Sequence, residues 1–193
     1  IGIRNNGSAL AVFVSPAYTM EEAHAAGCLG RIALGTDNIA TFSRNPARGL
    51  IDVFGDGIST NSMDEVLSTD LILMVGSFNE SQMAAVKVRE AVKKGAALAV
   101  ISPEETLVDD LAALKVFADN ISGLLKEVLA AVIKKGLTAG GFIDAHVEGF
   151  EEFKDSLAGI EPGENSSSVA ELYARARNAM ILIDGNLVNV PGV

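Results

Sequence analysis

The stretch DLILMVG, from Asp70 to Gly76, decides the fold class of this chain. Its apolar residues, Leu71 to Val75, follow one another without alternating with polar ones. A short apolar run of this kind is typical of a strand buried on both faces, as in a parallel sheet covered by helices. The stretch therefore predicts an interior strand of such a sheet.

Four more apolar runs predict strands, and segments with helical spacing or helix-start residues separate them. The predicted strands are residues 9–15, 96–102, 114–117 and 179–184. The predicted helices begin at Thr19, Ser62, Asn79 and Ser168, or span residues 121–135 and 142–157. Thr19 and Glu22 have the T-x-x-E spacing of a capping box. Residues 35–60 have no regular pattern and are predicted to be irregular.

Strands that alternate with helices along a chain form right-handed β–α–β crossovers, which build a parallel sheet with helices on both faces. We therefore predict an α/β fold: a doubly wound, mostly parallel sheet of five strands. A chain of 193 residues can bury a sizeable core, and residues 1–193 are predicted to form a single domain.

The composition agrees with this fold and excludes several classes of protein. Hydrophobic residues make up 49% of the chain and the mean hydropathy is +0.32, which suits strands that are apolar on both faces. No apolar run reaches the roughly 18 residues of a membrane span. The net charge of -10 argues against duplex nucleic acid and anionic membranes as main partners.

Cys28 is the one cysteine of the chain, so an internal disulfide is impossible and a reducing compartment, the cytoplasm, is expected. The chain begins at Ile1 without Met and has no basic segment before an apolar one. We therefore expect no signal peptide, and we interpret the chain as a fragment or a processed product.

Ligands of doubly wound folds bind outside the carboxyl ends of the strands. The sequence places three loops there, residues 16–18, 76–81 and 102–106. Backbone N–H groups at the helix N-termini that follow such loops suit phosphate. No glycine-rich dinucleotide motif and no P-loop motif accompanies them, so nucleotide binding is at this point an expectation from the fold alone.

Residues that could carry chemistry are few. His24 and His146 lie far apart in the sequence, whereas metal sites need several clustered ligands. Cys28 lies among alanines and leucines and is predicted to be a small core residue. Acidic pairs such as Glu21 and Glu22 fit the first turns of helices, where they complement the helix dipole. The residues alone predict no catalytic residue and no metal ligand.

Five stretches, taken in order, carry a resemblance to a known family. They are VFVSPAYTMEEAHAAGCLGRIALGTDNIATFSR (12–44), STNSMDEVLSTDLILMVGSFNESQ (59–82), AVKKGAALAVISPEET (91–106), GLTAGGFIDAHVEGFEEF (136–153) and ARARNAMILIDG (174–185). The combination of T-x-E-E, G-T-x-N and EGFEE resembles the central pterin-binding region of the molybdopterin oxidoreductases, above all the large subunits of formate dehydrogenases. The resemblance covers most of the chain and implies a doubly wound α/β unit.

The resemblance implies a cofactor, molybdopterin guanine dinucleotide, bound at the carboxyl ends of the strands. If the loops there keep that role, a guanine nucleotide contacts Gly76, Ser77, Asn79 and Ser102. Arg44 stands at the family position of an Arg that precedes the metal ligand, and is the fifth candidate for cofactor binding.

The family's metal ligand, a Cys or selenocysteine that binds molybdenum or tungsten, has no counterpart here. Its position falls at Pro46, which has no ligating group, and the nearby Ser43 is out of register. The stretch GSFNESQMA (76–84) lacks the family's Asn-Pro and His-Pro, and SPEE (102–105) replaces Asp-Pro-Arg. Glu104 would therefore repel a pyrophosphate. The iron–sulfur cysteines of the family are also absent. We expect that this chain binds no cofactor and no metal.

The function that the resemblance implies is that of the central domain of a redox subunit. The subunit would be formate dehydrogenase-like, or the large iron–sulfur subunit of an NADH–quinone oxidoreductase. The domain would be structural: it would cover iron–sulfur domains and dock subunits, in the cytoplasm or at a membrane through a complex. Two alternatives stay open: part of the cofactor cleft of an active molybdenum formate dehydrogenase-like enzyme, and a stand-alone nucleotide-binding module.

Residues 35–57 are the expected docking segment, because they combine apolar side chains with little regular structure. The apolar side chains are those of Ile39, Phe42, Leu50, Ile51, Val53 and Phe54. An exposed apolar patch of several hundred Å² usually marks an interaction site. We expect this segment to form a homo-oligomer in isolation or to dock a partner domain.

Overall fold

A computed structural model describes residues 9–15, 18–41, 51–53, 55, 59, 61–79, 81–185 and 187. The chain divides into two compact units, Ile1–Pro46 and Ala47–Val193. No helix in the described ranges is both long enough and apolar enough to cross a membrane.

The first unit contains a β–α–β crossover. Strand β1 (Val12–Val14) pairs in parallel with β2 (Ile39–Thr41). Helix α1 (Met20–Cys28) and a π-helical turn (Leu29–Ala33) connect the two strands. A crossover of this length is what parallel pairing requires, because a short hairpin loop can join only antiparallel strands.

Particular residues explain how this helical connection begins and how it packs on β2. Thr19 Oγ1 accepts a hydrogen bond from the N–H of Glu22 at 3.3 Å, and the Glu22 carboxylate accepts one from the N–H of Thr19 at 2.9 Å. The predicted capping box is therefore confirmed. A Cβ atom at Gly30 would lie 2.9 Å from Cδ1 of Ile39, so a larger residue there would displace the Ile39 side chain of β2.

The G-T-x-N turn fixes the entry to both strands of the first unit. The buried Thr36 donates a hydrogen bond from Oγ1 to the carbonyl of Leu10 at 2.9 Å. The side-chain amide of Asn38 donates to the same carbonyl at 3.1 Å, and the N–H of Val12 donates to the carbonyl of Asn38 at 2.9 Å. This turn is therefore a structural element of the unit.

The second unit is built on a four-stranded sheet that is parallel throughout. Its strands are β3 (Leu71–Val75), β4 (Ala97–Ser102), β5 (Leu114–Phe117) and β6 (Ala179–Ile183), in the order β5-β4-β3-β6. The chain runs outward from β3 to β5 and then returns to the other side of β3. The strand order therefore reverses between β3 and β6, and we call the carboxyl ends of these two strands the switch point.

Helices cover both faces of this sheet, as predicted for a doubly wound fold. Helix α2 (Gln82–Lys93) covers one face, and α3 (Ile121–Lys134) and α6 (Glu164–Arg175) cover the other. The strand residues clustered with α2 are Ile72, Met74, Leu98 and Val100. Those clustered with α3 and α6 are Leu73, Val75, Ala99, Ile101 and Val116. Every residue of β3 is buried, which is why the stretch at 70–76 has no polar alternation.

Between α3 and α6 the chain forms α4 (Gly140–His146) and α5 (Phe150–Leu157). Gly149 separates these two helices, with a φ of 72° that favours glycine, so the helix predicted over residues 142–157 is divided in two. Gly136, directly after the cap residue Lys135 of α3, has a φ of 65°, as is usual for the glycine that ends a helix.

The prediction of one sheet with five strands is wrong, because the strands are divided between two sheets. The described strands form a two-stranded sheet and a four-stranded sheet, and β1 pairs with β2. Strand β2 lies within the segment predicted to be irregular, because three residues, IAT, are too few to show a period of two.

Three predicted helix starts also differ from the structure. Helix α6 follows Gly163 instead of beginning at Ser168, and α2 follows Ser81 instead of Asn79. The helix predicted after Ser62 is a short 3-10 turn (Glu65–Ser68). At Ser62 half of the predicted capping box is present, since the Glu65 carboxylate accepts a hydrogen bond from the N–H of Ser62 at 2.8 Å. The N-cap residues of α2 and α6, Ser81 and Gly163, make no side-chain cap.

Candidate functional site

The carboxyl ends of β3 and β6 lie side by side, since Val75 is paired with Ile183. In open α/β sheets this reversal of strand order marks the crevice where ligands bind. Two of the three predicted loops, those after β3 and β4, lie at this edge of the four-stranded sheet. The third follows β1 in the other sheet, and its residues Pro16 and Ala17 lie outside the described part of the chain.

Gly76 begins the loop after β3, and its position admits no other residue without distortion. Its φ is 106°, which side chains rarely adopt. A Cβ atom there would lie 2.4 Å from Cβ of Asp184 and 3.0 Å from Cδ1 of Leu187. The N–H of Gly76 continues the sheet by donating to the carbonyl of Ile101 at 2.8 Å. The loops after β3 and β6 are therefore in direct contact.

A hydrogen bond between Phe78 and Asp184 joins these two loops. The backbone N–H of Phe78 donates to Oδ2 of Asp184 at 2.8 Å, and the N–H of Asp184 donates to the carbonyl of Val75 at 2.8 Å. Asp184 is only 9% exposed. Phe78 has a φ of 52°, a left-handed conformation that costs a non-glycine residue about 1–3 kcal/mol. Asp184 therefore stabilises a strained loop.

The loop after β4 is joined to the loop after β3. The side-chain amide of Asn79 donates to the backbone carbonyl of Glu105 at 3.2 Å. Ser102 is buried, and its Oγ accepts a hydrogen bond from the N–H of Glu104 at 3.2 Å. Both polar side chains thus contact neighbouring backbone.

Farther along, Asp109 fixes the same loop. Its carboxylate accepts hydrogen bonds from the N–H of Thr106 at 3.2 Å and from Oγ1 of Thr106 at 2.5 Å, and it forms a salt bridge with Lys115. Burial opposes ionisation, but the bonds from Lys115 and Thr106 outweigh it and hold the pKa of the Asp109 carboxyl below its ordinary value. The Asp109 carboxylate thus links the loop after β4 to Thr106 and to Lys115 of β5.

The structure brings together four of the five predicted cofactor-binding residues. Gly76, Ser77, Asn79 and Ser102 follow or end neighbouring strands at one edge of the sheet. Arg44 lies outside the described residues. Sequence reasoning missed the part played by Asp184, although a charged residue that ends an apolar run at this edge of a sheet is a usable signal.

Curated proteins with similar sequences are redox enzymes. The chain is 28% identical over 190 residues to the F420-dependent formate dehydrogenase subunit alpha of Methanocaldococcus jannaschii, covering 88% of this chain and 28% of that protein. It is 27% identical over 199 residues to formate dehydrogenase H of Escherichia coli, covering 93% and 27%. It is 26% identical over 182 residues to the assimilatory nitrate reductase catalytic subunit of Bacillus subtilis, covering 90% and 26%.

The chain is a homologue of the molybdopterin oxidoreductases. Among solved structures, acetylene hydratase from Pelobacter acetylenicus has the same fold, with a TM-score of 0.61 at 16% identity over 91% of this chain and 26% of that one. No family model matches the chain. The chain thus spans about a quarter of the length of these relatives.

The switch point of this molybdopterin oxidoreductase homologue does not fit the pyrophosphate of the family's dinucleotide. A pyrophosphate needs free N–H donors or cationic side chains. The N–H of Phe78 is already bonded to Asp184. Among the described residues of the loops after β3, β4 and β6 there is no Lys or Arg, whereas Glu104, Glu105 and Asp184 are acidic. The donor set is therefore poorly suited to an anion.

Metal ligands of the family kind are likewise not found in the described part of this homologue. No group of three or more His, Cys, Asp or Glu residues there could hold a metal ion. Pro46 and Ser43 lie outside the described residues. Cys28 is half-buried and its Sγ lies 3.5 Å from Nε2 of His24, so the prediction of a core cysteine is wrong. Most of α1 is exposed, and Gly27 is its one buried residue, so the alanines and leucines around Cys28 do not form a core.

Two shallow pockets of the homologue lie away from the switch point. One, of about 300 Å³, is lined by residues of α3 and α5, among them Ala130, Lys134 and Leu157. The other, of about 250 Å³, lies in the first unit beside His24 and Cys28. Neither pocket provides a cofactor cleft at the carboxyl edge of the four-stranded sheet.

Proposed function

We propose that this chain is the central α/β domain of a redox subunit related to the molybdopterin oxidoreductases, with a structural and docking role. One observation carries the proposal: the loops at the switch point are bonded to one another through Phe78, Asp184, Asn79 and Glu105. Loops that hold a large dinucleotide would keep such groups for the ligand. Both compact units are proposed to belong to one domain, residues 1–193, of a longer subunit.

The finer assignment rests on the resemblance. The subunit is formate dehydrogenase-like or corresponds to the large iron–sulfur subunit of an NADH–quinone oxidoreductase. Its partners are iron–sulfur domains or subunits of a cytoplasmic redox complex, which reaches a membrane only through other subunits. Because Pro46 stands at the metal-ligand position, the domain itself carries no catalytic residue.

The proposal is tested on the native subunit, isolated through an affinity tag at its chromosomal locus. We expect iron–sulfur clusters, detected by elemental analysis and electron paramagnetic resonance, to purify with the chain, without stoichiometric molybdenum or tungsten. A tagged protein of the size of this chain without iron would point to a stand-alone nucleotide-binding module and would contradict the proposal.

A second candidate function is the cofactor cleft of an active molybdenum formate dehydrogenase-like enzyme. It is favoured by the left-handed Phe78, because strained residues cluster at functional sites. In that case the guanine nucleotide contacts Gly76, Ser77, Asn79 and Ser102, and Arg44 approaches the metal end. Formate oxidation by the isolated native subunit, with molybdenum in proportion to the chain, would decide for this candidate.

A further inference from the structure

We infer that Asp184 is a built-in anion that closes the switch point of this sheet against the phosphate groups of a nucleotide. The inference rests on the proposed function, since it concerns the edge where a dinucleotide would bind in the family. Asp184 is not among the residues that the sequence predicts to contact a nucleotide.

The backbone donor that a phosphate would use is already occupied. Phosphates at such loops are held by backbone N–H groups. The left-handed conformation of Phe78 presents its N–H to Asp184 Oδ2 at 2.8 Å. A phosphate oxygen would need this same N–H. The carboxylate competes from within the molecule, so it acts at a high effective concentration.

The space between the two loops is filled. Cβ of Asp184 lies so close to the backbone of Gly76 that an added Cβ there would be 2.4 Å away. Leu187 closes the same side, at 3.0 Å from that position. A phosphate group cannot enter between the two loops unless Asp184 moves out, and Asp184 is anchored by its own N–H to the carbonyl of Val75.

The described side chains of the loops at this edge carry negative charge. The loops after β3, β4, β5 and β6 carry the carboxylates of Glu104, Glu105, Asp119 and Asp184 and, among their described residues, no Lys or Arg. An anionic ligand that approaches this edge therefore meets a negative field, which lowers its local concentration. Occupied donor, close packing and charge all act in the same direction at one place.

The test is a titration of the ¹⁵N-labelled full chain with guanosine diphosphate, followed by NMR in the presence of EDTA so that no divalent cation bridges the charges. We expect the amides of Ser77, Phe78 and Asn79 in the wild type to stay unmoved at millimolar nucleotide. Saturable shifts of these amides in the wild type would overturn the inference, whatever the behaviour of any variant.

Asp184→Asn keeps the shape of the side chain and removes its charge. We expect the Phe78 amide to shift without ligand, and nucleotide to shift these amides in a saturable way. The Kd should lie at least about fivefold below the lower limit that the unmoved wild-type amides set, the factor that removing one like charge at 4 Å gives in bulk water. Asp119→Asn removes a charge at the same edge as a control and should leave the Phe78 amide in place. If Asp184→Asn moves neither the Phe78 amide nor the affinity, the inference is wrong.

These outcomes are separate from those that test the proposed function. If the native subunit purifies without iron–sulfur clusters, the proposed structural role in a redox complex is contradicted. The result of the titration does not depend on that outcome. Nucleotide binding to the wild-type chain would contradict the inference that the switch point is closed. It would not change the iron content of the native subunit.

Discussion

Asp70 joins the start of β3 to the segment before β6, because its Oδ2 accepts a hydrogen bond from the backbone N–H of Arg177 at 2.8 Å. Its Oδ1 accepts a second bond, from the N–H of Asn178 at 3.0 Å. The bond from Arg177 and then that from Asn178 hold the pKa of the Asp70 carboxyl below its ordinary value. The folded state therefore favours the ionised form of Asp70.

The first prediction concerns the pH dependence of thermal stability. A carboxyl whose pKa is lowered on folding stabilises the fold above its unfolded pKa, about 3.9 for an aspartate, and loses that contribution as the pH falls below it. Asp70→Asn should lower the melting temperature near neutral pH, and the gap to the wild type should close as the pH falls below about 3.9. Thermal unfolding followed by circular dichroism across this range measures both effects.

Asp144→Asn, at an exposed aspartate of α4, is the matched control and should leave the melting temperature near that of the wild type at every pH. A gap between Asp70→Asn and the wild type that stays constant through the acidic range would contradict the prediction, since neutral hydrogen bonding would then explain it.

The second prediction separates backbone strain from close packing at glycine. Gly76 and Gly95 have nearly the same φ, 106° and 108°, but an added Cβ meets Asp184 at Gly76 and nothing within 4 Å at Gly95. Gly95→Ala should cost about 1–2 kcal/mol from conformation alone. Gly76→Ala should cost about 1–3 kcal/mol more through overpacking. Urea denaturation gives both values, and equal losses would show that Asp184 does not pack against Gly76.

The third prediction concerns metal. Because proline has no ligating group, Pro46 at the family's ligand position should leave the purified chain without stoichiometric molybdenum or tungsten. Elemental analysis after dialysis measures the content. About one metal atom per chain would mean that the ligand position is occupied by another residue, and it would favour the cofactor-cleft alternative.

The fourth prediction concerns the docking segment. Phe42 and Phe54 lie outside the described residues, and the neighbouring Val53 is 74% exposed. Replacing both phenylalanines with Ser should keep the helical circular dichroism signal and shift the chain toward monomer in light scattering, because exposed apolar side chains mediate association. Unfolding of the double variant would place both rings in the core and end the docking hypothesis.

The fifth prediction concerns Cys28. Its thiol is half-buried and lies 3.5 Å from Nε2 of His24, so a thiol reagent should modify one group per chain without denaturant. His24→Gln should change the reaction rate, since it replaces the imidazole that contacts the thiol. His146→Gln, at the end of α4, is the control. Identical rates for both variants would mean that the His24 contact has no effect on the thiol.

The layers of the second unit were predictable because their causes are local. Leu71 to Val75 have no polar residue, and the apolar stripe of α3 repeats at helical spacing, so strand and helix follow from periodicity. Capping at Thr19 could be read for the same reason, since both partners lie within four residues.

What could not be predicted depends on contacts between distant parts of the sequence. Phe78 and Asp184 are 106 positions apart, and no local pattern indicates their hydrogen bond. The division into two sheets depends on whether β1 finds β2 or β3, a choice that tertiary packing makes. The sequence therefore places the candidate contact residues at the carboxyl edge of the sheet. It does not predict the hydrogen bonds that join the loops there.

The place of β6 beside β3 has a consequence for biosynthesis. Asp70 and Asn178, at the starts of the two strands, are separated by 108 positions, which a ribosome translates in roughly 5–20 s. During that interval the β6-facing side of β3 has no strand partner, although LILMV is apolar throughout. An unpaired apolar strand edge is a template for aggregation. We therefore expect the nascent chain to expose this edge of β3 until Ala179–Ile183 leave the exit tunnel.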